Sequence, residues 1–149
     1  MRFFFLVFAL LLLPQYSQVR AQKHLDIAQS FVGTKELTGH NDGKEVEMFL
    51  NSVGRKKGDS WCSAFVSFCL SSANVKVPKT RSGLARSFKL QNKIISAVDV
   101  LRGTKKIPKG SIIGWEKGNT VFGHIGFTFI NWSGPYGTTI EGNTSSGLK

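Results

Sequence analysis

The chain has 149 residues, 20 Lys and Arg against 9 Asp and Glu, a formal charge of +11, and two cysteines. This length allows one compact domain and excludes two ordinary ones. The charge directs the protein toward polyanions, although a solvated lysine surface that only keeps the chain soluble would give the same balance.

At the N-terminus Arg2 precedes an unbroken apolar run from Phe3 to Leu13, followed by the small-residue pattern Val19-Arg20-Ala21. This predicts a secretory signal peptide over residues 1–21, cleaved after Ala21. Eleven apolar residues fall short of the roughly 20 that span a bilayer as a helix. No cysteine follows the cleavage position as a lipid-modification site would require, so no stable membrane anchor is expected after processing. Cleavage leaves residues 22–149 as a single domain, with 18 basic residues against 9 acidic ones. The expected location is secreted or periplasmic. The polyanions there are cell-wall polymers, lipopolysaccharide and phospholipid head groups, and nucleic acid is not an expected partner. A monomer is expected.

"KHLDIAQSFVGT" spaces Leu25, Ala28, Phe31 and Val32 along one helical face ending at Gly33. "TGHNDG" reads as a turn. In "KEVEMFLNSVG", Val46, Phe49, Leu50 and Val53 fall at i, i+3, i+4, i+7, which predicts a second helix stopped at Gly54. "WCSAFVSFCLS" is apolar nearly all round, as a central buried helix is, with Ser60 as its expected N-cap. "RSGLARSFKL" suggests a short surface helix, and "KIISAVDVLRGTKKIPKG" is ambiguous. "SIIGWE", "GHIGFTFINW" and "YGTTIEG" are short, rich in β-branched and aromatic residues, and punctuated by Gly, Asn and Pro, so they read as strands. Helices first and strands afterwards predict an α+β fold, with N-terminal helices packed on a C-terminal antiparallel sheet.

Both cysteines, Cys62 and Cys69, lie in the expected central helix. At about 1.5 Å of rise per residue they stand about 10 Å apart, beyond the roughly 7 Å a disulfide tolerates. Histidines at 24, 40 and 124 match no compact ligand spacing with them, so no metal and no cofactor are expected. Cys62 falls at the first turn, where free backbone N–H groups and the helix dipole favour a thiolate. Cys69 falls two turns deeper, between Phe68 and Leu70, as an inert core residue.

A thiol nucleophile needs a base, and the base an orienting group. In "GHIGFTFINW" strand alternation puts His124, Gly126 and Thr128 on one face and Ile125, Phe127 and Phe129 on the other. Gly123 and Gly126 leave room for close approach by a backbone or a substrate. His24 and His40 have weaker claims. A hairpin through "SGPYG" would bring Glu141 or Asn143 beside His124, to fix its tautomer. Each feature has an ordinary alternative: a packed cysteine, a hydrogen-bonded surface histidine, Glu-Gly-Asn as turn chemistry.

In that order the helix-initial "WCSAFVSFCL", the strand "GHIGF" and the terminal "IEGNT" resemble the CHAP domains, cysteine- and histidine-dependent amidohydrolases and peptidases of the NlpC/P60 papain-like superfamily. The resemblance runs from about Ile27 to Thr144 and takes in "ELTGHNDGKEVEMFLNSVG". It implies a papain-like fold, with Cys62 as nucleophile, His124 as general base and later acid, Glu141 as the orienting residue, and Asn143 as a supporting polar group. Helix N-terminal N–H groups, that of Cys62 included, would form the oxyanion hole. The implied substrate is an amide of peptidoglycan, as an amidase or endopeptidase cuts it. "GRKKGD" stands where calcium-binding members carry acidic residues, so no calcium is expected. The chain also stops six residues past Asn143, short of the family's further strand, which implies a shortened form. The competing expectations are a non-catalytic cell-wall or polyanion-binding module of the same fold, and a related thiol amidase or acyltransferase acting as a toxin. Trp61, Trp115 and Trp132 could stack on sugars, though strand-end aromatics more often pack.

Overall fold

A computed structural model describes residues 13–75, 82–89, 94–120 and 122–144, with side chains from residue 22 onward. Four helices, α1 (Leu13–Ser30), α2 (Lys44–Ser52), α3 (Cys62–Ser72) and α4 (Ala97–Leu101), precede three strands, β1 (Ile112–Glu116), β2 (Gly123–Thr128) and β3 (Thr139–Glu141). The strands form one antiparallel sheet in the order β1-β2-β3. The fold is α+β, in the helices-then-strands order that the change of period predicts.

The charged start and most of the apolar run of the expected signal peptide, residues 1–12, lie outside the described residues. α1 begins at Leu13 and runs through Ala21. Among the residues described with side chains, its buried ones, His24, Leu25 and Ala28, lie beyond the expected cleavage position. No helix among the described residues is long and apolar enough to cross a membrane.

α2 buries Val46, Phe49 and Leu50, the stripe its spacing predicts. It ends in a Schellman turn: Gly54 N–H donates to Asn51 O (3.1 Å), Arg55 N–H donates to Leu50 O (2.9 Å), and Gly54 holds φ +71°. α3 ends the same way with Asn74 in the left-handed position (φ 54°), Val75 N–H donating to Leu70 O at 3.0 Å.

α3 is the core helix. Ala64, Phe65, Val66, Cys69 and Leu70 are buried, and with Phe49, Trp61, Ile125, Phe127 and Ile140 they form one cluster. The helix packs against α1, α2 and β2. Its two buried hydroxyls are satisfied across the chain: Ser63 Oγ (2.7 Å) and Ser67 Oγ (3.0 Å) both donate to Ser82 O. That latch fixes the segment carrying a 3-10 turn at Ala85–Phe88, where the sequence suggests a surface helix and where no residue is buried. The ambiguous stretch resolves into α4, capped by Ser96 Oγ accepting from Val98 N–H (3.2 Å), and a bridge between Ile107 and Trp132.

One local expectation fails. The N-cap of α3 is Trp61 (φ −113°, ψ 3°), with no side-chain cap, and Ser60 stands one residue outside.

Candidate active site

The register of the sheet sets the site. Trp115 lies opposite His124 across β1 and β2, and Gly126 opposite Glu141 across β2 and β3. Because side chains alternate with a period of two, Trp115, His124, Gly126 and Glu141 share one face. Ile125, Phe127 and Ile140 share the other, against α3, and all three are buried. This is the alternation expected of "GHIGF".

His124 and Glu141 meet diagonally: Nε2 lies 2.9 Å from Glu141 Oε2, with side chains 30% and 20% exposed. A carboxylate accepts only, so Nε2 carries the proton and Nδ1 is left as the basic nitrogen. The second carboxylate oxygen accepts from Thr139 Oγ1 at 2.5 Å, which pins the group from its own strand. Gly126 makes the approach feasible. A Cβ there would stand 2.6 Å from Glu141 Cγ and 2.6 Å from Ile140 O, where ordinary contact begins near 3.4 Å. On the other side of the imidazole lies the Trp115 ring, centroids 5.6 Å apart and planes tilted 35°. Trp115 is 42% exposed, so it borders the histidine more than it fills the core.

Cys62 occupies the first residue of α3 and is 6% exposed. Burial pushes its thiol up from the ordinary value, against the opposing pull of the Ser63, Ile125 and Cys62 backbone N–H groups. The helix start therefore acts in the expected direction and loses to desolvation, so the resting group is the thiol. The Ile125 amide places the sulfur against β2 at the residue following His124. No hydrogen bond joins the sulfur to the imidazole among the described residues. Cys69, fully buried, is pushed further up by burial. Both cysteines are free, as the helical rise between them requires.

Asn143 adopts a left-handed backbone (φ 61°) just past β3, and the histidine's partner is Glu141. Of the other histidines, His40 lies exposed in the turn between α1 and α2. His24 is buried, its Nε2 2.8 Å from Gly110 O and its Nδ1 without a partner.

Two supports were not visible in local sequence. Trp61, fully buried, donates its indole N–H to Glu36 Oε1 (2.9 Å), and Glu36 Oε2 accepts from Asn41 N–H (3.0 Å). The same ring lies under Gly142, where a Cβ would come within 2.6 Å of it. Trp61 precedes Cys62 and Gly142 follows Glu141, so one anchored ring ties the helix start to the strand end. The only signal for Glu36 is a lone acid in "KELTG", 25 residues upstream.

Among the described residues no group of three or more His, Cys, Asp or Glu side chains could hold a metal ion. The buried Asp42 carboxylate accepts from Thr38 N–H and Oγ1 (2.9 and 2.8 Å), with Lys57 Nζ at 3.5 Å. The "GRKKGD" turn thus delivers a lysine to the acid before the cysteine. Comparison of the chain with protein-family models, curated proteins and solved structures finds no match, so the chemistry of this site rests on its own residues.

Proposed function

We propose that this chain is an exported thiol amidohydrolase of CHAP-like, papain-like type that cleaves an amide of peptidoglycan or another anionic wall polymer. The observation that carries the reading is the imidazole–carboxylate pair, 2.9 Å apart, on the strand whose next amide meets the sulfur of a cysteine at a helix start.

The roles follow from the protonation states. Glu141 accepts Nε2–H and stabilises the imidazolium that forms when Nδ1 takes the Cys62 proton. The thiolate attacks the amide carbonyl, and the oxyanion is held by backbone N–H groups at the first turn of α3. Collapse expels the amine, which receives the proton from Nδ1, and leaves a thioester on Sγ. Water, deprotonated by the same nitrogen, then releases the acid and restores the thiol. Since burial keeps the resting sulfur protonated, His124 must act as base within the complex with substrate, where such hydrogen bonds tighten. The basic surface suits an anionic polymer.

The burial of Cys62, 6% exposed, favours one other reading, a wall-binding module without activity. Clearing of a purified cell-wall suspension separates the two. The chain should clear it, Cys69→Ala should clear it too, and Cys62→Ala should not. Clearing by Cys62→Ala at the wild-type rate would overturn the enzyme reading, and wall binding without clearing by any form would establish the module.

A further inference from the structure

The end of the sheet away from His124 carries a second surface. His124 is next to the start of β2, and two loops gather beyond its end at Thr128, about 13 Å on at 3.3 Å per residue. One loop runs from α4 to β1, the other leaves β2 toward β3, and backbone bonds stitch them together. Ile107 and Trp132 exchange N–H···O bonds, both 2.8 Å, and Gly134 N–H donates to Val100 O at 2.7 Å. Lys109 N–H donates to Asn131 Oδ1 at 2.8 Å.

These loops expose Arg102, Lys105, Lys106 and Lys109. Asp99 lies 3.2 Å from Lys105. α4 and the loop leaving β2 also carry apolar side chains with little cover: Val98 51%, Leu101 56%, Ile130 43% and Tyr136 87% exposed. A hydrated polyanion would satisfy the cations and leave those side chains in water. A lipid surface takes both, because apolar and aromatic side chains enter the head-group boundary while lysines and arginine meet the phosphates.

We propose that this surface docks the protein reversibly on an anionic phospholipid bilayer. Docking through it leaves the His124 face of the sheet free, and it holds whether or not Cys62 is catalytic.

The test is flotation of the full chain with vesicles of phosphatidylcholine alone and of phosphatidylcholine mixed with phosphatidylglycerol. The leader segment is present in every protein compared, so differences between variants belong to the patch. Wild type should float with the anionic vesicles at low salt and be released at high salt. Joint replacement Lys105→Gln, Lys106→Gln and Lys109→Gln should weaken binding about a hundredfold, from about fivefold per cation. Leu101→Ser with Tyr136→Ser should weaken vesicle binding while leaving binding to soluble teichoic acid unchanged. Equal flotation with both vesicle types, wild-type binding by the triple variant, or vesicle binding undiminished in the double serine variant would overturn the proposal. The last result would assign the surface to a hydrated polyanion. A difference in flotation between wild type and the triple lysine variant that persists at high salt would also overturn the proposal.

Discussion

Replacing Gly126 by alanine tests the geometry of the site with one methyl group. The new Cβ would stand 2.6 Å from both Glu141 Cγ and Ile140 O, so relief to ordinary contact requires about 0.8 Å or more of movement. Glu141 Cγ can swing, but Ile140 O belongs to the β2–β3 ladder, where Phe127 pairs with Ile140. The strand has to shift, and Glu141 shifts with it. A displacement of that size takes the 2.9 Å contact with His124 past hydrogen-bonding range. Overpacking of this kind costs about 1–3 kcal/mol, which for a chain of this length lowers Tm by about 2–12 °C. Losing the charge-assisted bond removes about 1.5–3 kcal/mol from the imidazolium, a rate loss of about 10- to 100-fold. Thermal unfolding and wall-clearing kinetics read the two effects separately. A Gly126→Ala protein with wild-type Tm and wild-type rate would refute the claim that the empty space at this position lets the carboxylate reach the ring.

Three further outcomes are expected. Glu36→Leu should cost about 1–3 kcal/mol by leaving the buried Trp61 indole N–H without an acceptor. Glu36→Gln keeps an acceptor for the indole but turns its NH2 toward Asn41 N–H, so it should fall between wild type and Glu36→Leu in denaturant unfolding. Native alkylation should modify Cys62 and spare Cys69, with a rate that climbs past the ordinary thiol value of about 9, because burial holds the Cys62 thiol above it; a plateau near neutral pH would show a free thiolate instead. Burial lowers the His24 pKa below its ordinary value of 6.5. The unfolded chain therefore takes up the proton first, and stability, full above about pH 6.5, should be lost as pH falls from there through the lower folded value. Urea midpoints between pH 8 and 5 should show this decline, and His24→Gln should lessen it.

What the sequence discloses and what it hides divide by range. The α2 stripe, the all-round apolar α3 and the alternation around His124 are periodic signals within ten residues, and each is present in the structure. The connection from β2 to β3 takes ten residues, 129–138, longer than "SGPYG" alone, and the pairing still sets Glu141 opposite Gly126. Gly126 signals a close approach, and what approaches is Glu141 and the Ile140 carbonyl. Contacts across long separations carry no such signal: Glu36 on Trp61 and Ser82 on Ser63 and Ser67 are set by packing. The state of Cys62 misleads for a related reason. A helix start is readable and favours the thiolate, but burial is decided by the core cluster that Cys62 joins once folded, and desolvation outweighs the helix start.

The most direct measurement of the central claim is mass analysis of peptidoglycan after digestion by the wild-type chain and by Cys62→Ala. The wild type should release fragments with new amine and carboxylate ends at one amide, with glycosidic bonds intact, and Cys62→Ala should release none. The same new ends from Cys62→Ala, or cleavage of glycosidic bonds alone, would contradict a thiol amidohydrolase.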